Sequence, residues 1–254
     1  MNYTKKELLV IGGENKEIPE YLYMYSSICS AKKILESSQL WMSSFDKFND
    51  PFEFSFALNN DYTEEEFTKW FCNATKTNNR RIARNIFLDK EKVDNTIKEG
   101  IQETLKDYGI KCFTTNHDNL LMWAHYANNH EGVCFKFDIQ KDADFFQDLL
   151  PVVYDDTYKQ LNYIKSQNNT VELLRHKSEA WKYEEEWRVL KLGKANQLVG
   201  FSRDSLVQII FGCRCKDQVE IQKMCSENGF DSVQFSKAEK ANDSYKLIVT
   251  PLTL

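Results

Sequence analysis

Val133-Cys-Phe-Lys-Phe-Asp-Ile139 alternates apolar and polar side chains without a break, the period of a strand with one buried face. It decides the class of the fold, because similar short runs flank it on both sides. Upstream, Ile110–Thr114 reads as a strand and Leu120–Asn128 as a helix capped by Asn116 or Asp118, with Gly132 closing the turn in a left-handed C-terminal cap. Further upstream, Tyr21–Tyr25 and Leu40–Ser44 bracket a helix over Ser26–Ser38, where Ile28, Ala31, Ile34 and Leu35 recur at three- and four-residue steps. Downstream, Leu150–Tyr154, Glu184–Lys191, Leu206–Phe211, Ser232–Phe235 and Lys246–Thr250 complete the strands, and Leu161–Ala180 reads as a helix. Strands and helices in this order predict an α+β fold around a mixed, mainly antiparallel sheet.

Residues 61–108 interrupt the strands. Phe67, Trp70, Phe71 and Ala74 mark one helical face, and Val93, Ile97, Ile101, Leu105 and Tyr108 another, with Thr75–Arg84 as the turn between two helices. The expectation is a single domain over 1–254, with 61–108 as a helical insertion or cap.

The chain has 254 residues, 33 Lys and Arg against 38 Asp and Glu, and a net charge of −5, which argues against a general electrostatic grip on nucleic acid. Arg80, Arg81 and Arg84 remain as a local basic patch. No apolar run approaches the roughly 20 residues of a membrane span, and the first residues lack the apolar stretch of a signal peptide. Seven scattered cysteines read as reduced thiols. Together these predict a cytoplasmic protein with no membrane partner. The P-loop, the dinucleotide-binding glycine pattern, the nucleophile elbow and H-E-x-x-H are all missing, so the enzyme classes that use them lose their usual support.

Three stretches carry chemistry. In Phe48-Asn-Asp-Pro-Phe-Glu53, Asn49 and Asp50 suit a turn before Pro51. Alternatively Asn49, Asp50 and Glu53 offer polar heads to a ligand's hydroxyls or amide. In Leu121–Cys134, Trp123, Tyr126 and Ala127 share a helical face that packs under a sheet, while His125, Tyr126 and His130 are candidates for a cleft wall. Cys112, His117, His125, His130 and Cys134 match no compact zinc spacing, so no metal is expected. In Lys177–Leu190, an extended reading of 182–190 puts Tyr183, Trp187 and Val189 on one face. Lys182, Glu184, Glu186 and Arg188 then line the other, either as a solvated face or as paired carboxylates held ionised by Arg188 or Lys182.

With Tyr23–Tyr25 and Ile34–Leu40, these stretches resemble a bacterial family known only as a domain of unknown function, which carries no established activity. The chain also bears a distant similarity to the ADP-ribosyltransferase superfamily: an early strand, a helix, a strand bearing Ser, and a late strand with E-x-E at Glu184 and Glu186. That resemblance implies a split core and NAD as substrate. It makes Glu186 the stabiliser of charge at the ribose C1′, and Glu184 or His125 the base for an acceptor or water. Tyr25 or Trp41 would stack on nicotinamide, and Ser43 or Ser44 would hold the amide or ribose. Tyr23 or Tyr25, in place of the superfamily's His or Arg, would anchor the other ribose, with Asn49 and Asp50 contacting the ribose or supporting those contacts; Glu53, Trp123, Tyr126, His130 and Arg188 are the candidate substrate contacts. A protein or nucleic-acid acceptor, and a toxin or anti-phage role, follow from the superfamily. The alternatives are a sensor module gripping a nucleotide or peptide with Trp123, Trp181 and Trp187, and a nucleic-acid enzyme of another mechanism.

Overall fold

Alternation along the strands sorts side chains onto two faces of one sheet, and the way these faces are covered creates the site. The computed structural model describes residues 18–165 and 167–252, with the side chains of 166–170 excepted; residues 1–17, read above for a leader, lie outside them. In chain order the strands are β1 (Tyr21–Ser26), β2 (Gln39–Met42), β3 (Phe56–Leu58), β4 (Tyr108–Thr114), β5 (Val133–Asp138), β6 (Leu149–Pro151) and β7 (Val153–Tyr154). They continue with β8 (Lys159–Leu161), β9 (His176–Lys177), β10 (Glu186–Leu192), β11 (Gln197–Gly200), β12 (Leu206–Phe211), β13 (Gln234–Lys240) and β14 (Leu247–Pro251). The helices are α1 (Ile28–Ser37), α2 (Glu64–Ala74), α3 (Arg80–Phe87), α4 (Lys90–Leu105), α5 (Leu120–Tyr126), α6 (Ala143–Phe146) and α7 (Gln218–Glu227).

Eight strands form the main sheet in the order β14-β13-β12-β5-β1-β4-β10-β6. Every pairing is antiparallel except β12 with β13. The α+β class with a mainly antiparallel sheet therefore holds.

One face carries Leu22, Met24, Phe113, Val133, Phe135, Phe137, Val189 and Ile209, and packs on Ala31, Ile34 and Leu35 of α1 and on Ile221 and Cys225 of α7. The opposite face is divided. Over β1, β5 and β12, Trp123, Met122 and Ala127 cover Tyr25, Cys134 and Ile210. Over β4 and β10, Phe67, Phe71, Ile97 and Ile101 from α2 and α4 join Leu173 and Leu174 in covering Ile110 and Leu190. Between these two clusters lies a gap. There β1 and β4 also part, their register consisting of Tyr23↔Thr114 alone. Farther along, β4 pairs instead with Ser43, through Ile110.

Local chemistry explains most element boundaries, and several differ from expectation. Ser27 caps α1, accepting the Ser30 N–H. Asn119, not Asn116 or Asp118, caps α5, its Oδ1 accepting from Leu121 and Met122 N–H. Asn116 instead builds the preceding turn, with Oδ1 accepting from Asp118 and Asn119 N–H. Gly132 is no left-handed cap. Asn128, Asn129 and His130 take positive φ instead (47°, 55°, 68°). Gly132 is required because a Cβ there would lie 2.1 Å from the Ser26 carbonyl oxygen. The block at 61–108 holds three helices: Asn79 caps α3, whose start lies inside the stretch expected to be a turn. Among the described residues no α-helix spans the stretch Leu161–Ala180, where one was expected. That segment forms 3₁₀ turns at Gln167–Arg175 and Glu179–Glu184, split by β9, which pairs in parallel with β7.

Candidate functional site

The gap on the divided face is a cleft of about 410 Å³, walled by Tyr23, Tyr25, Ser43, Asn49, Cys112 and Tyr126 among others, with Lys177, Glu184 and Glu186 at its base. Strand alternation puts Glu186 and Arg188 on this face of β10, opposite Thr114 and Cys112 of β4. Glu184 arrives differently from the expected continuous strand. Its 3₁₀ turn ends at Glu185, whose left-handed φ of 44° kinks the chain into β10 and brings both carboxylates to one point. Thr115 Oγ1 donates to the Glu185 carboxylate at 2.7 Å, and Asn119 Nδ2 donates to the Tyr183 carbonyl at 3.1 Å, tying this kink to β4 and α5. The backbone N–H of Glu186 donates to Tyr154 Oη at 2.8 Å.

Five charged side chains are buried beneath the cleft. Lys177 Nζ donates to Glu184 Oε2 and, at 2.9 Å, to Glu186 Oε2, and lies 4.0 Å from Glu53. Arg188, fully buried, donates from Nε to Glu186 Oε1 at 2.7 Å, from Nη1 to the Leu174 carbonyl at 2.7 Å, and from Nη2 to Glu53 Oε1. The Phe48 and Phe54 rings flank its guanidinium at 5.4 and 5.3 Å. Glu53 is aimed inward by the turn in which Asp50 Oδ1 accepts the Phe52 N–H at 2.9 Å and Phe54 takes a φ of 61°. Tyr126 Oη donates to Glu184 Oε1 at 2.6 Å.

The cluster sets distinct proton affinities. Burial pushes the Glu186 carboxyl up, but Arg188 and Lys177 beside it outweigh that and hold it at about 2. Burial dominates for Glu53, whose pKa is raised despite Arg188 and Lys177. For Lys177 desolvation works against the charge, yet Glu186, Glu53 and Glu184 together raise its pKa. Tyr126 is raised by burial and by its bond to Glu184, and Tyr23 is pushed by burial up to about 12. Glu186 is thus a fixed negative charge and a poor base.

Of the residues singled out by sequence, Tyr23, Tyr25, Ser43, Asn49, Tyr126, Glu184 and Glu186 line the cleft. Tyr23 stacks on His117 with ring centroids 4.9 Å apart, and Tyr25 Oη donates to the Asn116 carbonyl at 3.1 Å. The structure separates the others. Trp123 is fully buried, its indole N–H donating to the His117 carbonyl at 2.9 Å, so it is core and not a grip. Arg188 is equally out of a ligand's reach and holds the carboxylates instead. Asp50 serves the turn, and Glu53 lies behind the cleft wall. Ser44 is buried, its hydroxyl bonded to Asp46 and Asn196. His125 is exposed and outside the walls of the cleft, while His130 is half-buried against Trp123. Trp41 stands outside the cleft, at the edge of an adjoining cavity. Lys182 points to solvent and pairs with Glu179, so only Arg188 of the two expected cations holds the carboxylates.

Lys177 is the residue the sequence did not single out. Its neighbour Ser178 caps a 3₁₀ turn, and nothing local marks the lysine as buried; only the β7–β9 pairing delivers it. The candidate metal ligands are dispersed, and among the described residues no group of His, Cys, Asp and Glu is arranged to hold an ion. The arginines of α3 form no isolated basic patch, since Arg84 pairs with Glu64 at 3.3 Å and Glu65 borders the same groove. Among the described residues no helix is long and apolar enough to cross a membrane.

Residues 122–189 match the family model described as protein of unknown function (DUF2971). The matched stretch runs from α5 into β10 and contains Tyr126, Lys177, Glu184, Glu186 and Arg188, which supports kinship with an uncharacterised domain family. No curated protein and no solved structure matches the chain.

Proposed function

We propose that the cleft binds a nucleotide with a cleavable glycosidic bond, NAD being the type substrate, and that the protein is an ADP-ribosyltransferase-like enzyme or an NAD glycohydrolase. One observation carries this reading: the Glu186 carboxylate, paired with Lys177 and Arg188, stands at the base of a cleft opened by the parting of β1 and β4, beside the aromatic wall of Tyr23 and Tyr25. When the bond from C1′ to the nicotinamide nitrogen breaks, its electron pair goes to that nitrogen and neutralises the pyridinium. Positive charge then develops at C1′. A carboxylate already charged and already oriented stabilises that charge without reorganising. Glu186 accepts a hydrogen bond from the ribose 2′-hydroxyl in this scheme, while Glu184, linked to Tyr126, takes the proton from water or an acceptor as it adds to C1′. Ser43 and Asn49 hold the ribose or amide. His125 drops out of the scheme because it lies outside the cleft walls.

A second reading is favoured by the internal bonding of the carboxylates: both oxygens of Glu186 already accept from Lys177 or Arg188, as suits a non-catalytic binding module. One experiment separates the two. Nicotinamide release from NAD is followed with and without DNA, RNA and protein, for the wild type and Glu186→Gln. Glutamate-dependent release is the result expected of the enzyme, and acceptor dependence assigns transferase or hydrolase. No release in any mixture refutes turnover and leaves the binding module.

A further inference from the structure

A second cavity, of about 810 Å³, adjoins the cleft and shares with it Met24, Tyr25, Lys111 and Tyr126. The sharing follows from the parted strands. By alternation Lys111 belongs with Phe113 on the α1 side of β4, while Cys112 and Thr114 face the carboxylates. Because β1 does not pair with β4 beyond Tyr23↔Thr114, the half-buried Lys111 side chain reaches the walls of both cavities.

Lys111 differs from the other cation at this site. Lys177 faces three carboxylates, whereas among the described residues Lys111 has no carboxylate partner, and burial pushes its pKa down. A desolvated cation without a counter-charge is costly, and an anion placed beside it would offset that cost. The rest of the cavity suits an anionic ligand carrying a flat group. Lys33 and the hydroxyl-bearing Ser27, Ser30 and Ser37 line its α1 wall. Trp41 and Leu198, paired across β2 and β11, stand 48% and 52% exposed along another. Among the described residues Glu36 is the single carboxylate on the lining, and it is exposed at the surface.

We infer that this cavity is a nucleoside-diphosphate subsite, with Lys111 and Lys33 receiving the diphosphate and Trp41 the base, while the glycosyl end of the same ligand enters the carboxylate cleft. The inference rests on the nucleotide reading above and adds where the unreactive half of the substrate is held. It also moves Trp41 from a nicotinamide platform to the opposite end of the ligand.

Because ADP has no nicotinamide to lose, its binding tests the subsite independently of turnover. Calorimetric titration with ADP, adenosine and pyrophosphate compares the wild type with Lys111→Gln, Lys111→Arg, Trp41→Ala and Glu186→Gln. ADP is expected to bind the wild type and Glu186→Gln alike. Lys111→Gln should weaken ADP and pyrophosphate at least tenfold with adenosine unchanged, and Lys111→Arg should restore most of that loss. Trp41→Ala should weaken ADP and adenosine and spare pyrophosphate, which separates a nucleotide site from a site for free phosphate. Should Lys111→Gln fail to fold, acylation of the wild-type protein tests the same contact: ADP should protect Lys111 in peptide mass maps. Absence of ADP binding to the wild type, equal binding to Lys111→Gln, or no protection of Lys111 overturns the subsite. None of those results bears on whether Glu186 supports nicotinamide release.

Discussion

Replacing Arg188 with methionine should destabilise the protein far more than an ordinary core substitution. The methionine fills the stem volume, so packing is nearly preserved and the change is electrostatic. In the wild type Glu53, Glu184 and Glu186 face Lys177 and Arg188, three negative charges against two positive. Without Arg188 three buried carboxylates face Lys177 alone, and the Leu174 carbonyl loses its donor. Removing one partner from a buried charged network costs about 3–5 kcal/mol. For a chain of this size each kcal/mol lowers Tm by about 2–4 °C, so the loss is about 6–20 °C. The deficit must also depend on pH. Wild-type Glu186 has its pKa depressed from 4.5 to about 2, so its contribution is full above the unfolded value and is lost as pH falls toward 2. In the variant, burial dominates, the carboxyl pKa values rise, and the folded state takes up protons as pH falls. Both effects shrink the gap at low pH. Thermal unfolding followed by circular dichroism at pH 7 and pH 5 measures this. A variant within about 2 °C of the wild type at pH 7, or a deficit that grows at pH 5, would contradict a buried network held together by Arg188.

Other perturbations probe the same site with different readouts. Glu186→Gln leaves two carboxylates facing two cations, so it should fold with a Tm within a few degrees of the wild type while abolishing any nicotinamide release. Tyr126→Phe removes the 2.6 Å bond to Glu184 and should cost about 1.5 kcal/mol in urea denaturation, with the fold intact by circular dichroism. Gly132→Ala places a Cβ 2.1 Å from the Ser26 carbonyl oxygen, forcing β1 and the turn before β5 apart at a cost of about 3 kcal/mol; full stability would contradict the close approach. Of the seven cysteines, Cys29 is exposed while Cys134, Cys215 and Cys225 are buried. A thiol reagent should therefore modify Cys29 in the native protein and reach those three only on unfolding.

Local periodicity and capping chemistry determined much of this protein without tertiary information. The alternation of 133–139 placed Val133, Phe135 and Phe137 on one buried face of β5, although packing of α5 also buries Cys134 on the other; the apolar spacing of Val93, Ile97, Ile101 and Leu105 made α4, and together the elements required an α+β sheet. These signals are local: each side chain's face follows from the backbone geometry of its own element. The helix expected over Leu161–Ala180 failed because its apolar residues are divided between short parallel pairings and 3₁₀ turns, which leave no period of their own. The candidate site was legible in residue type, since Glu184, Glu186, Tyr126 and Tyr23 were all singled out, but not in assembly. Lys177 is a solvent-type residue by sequence, and Glu53 reaches Arg188 across 135 positions of chain. Trp123 and Arg188 read as ligand contacts yet are fully buried. Whether a charge lies in water or beneath a sheet depends on which strands pair and which part. That is settled by the joint packing of distant apolar faces, here by the separation of β1 from β4, and no window of sequence contains it.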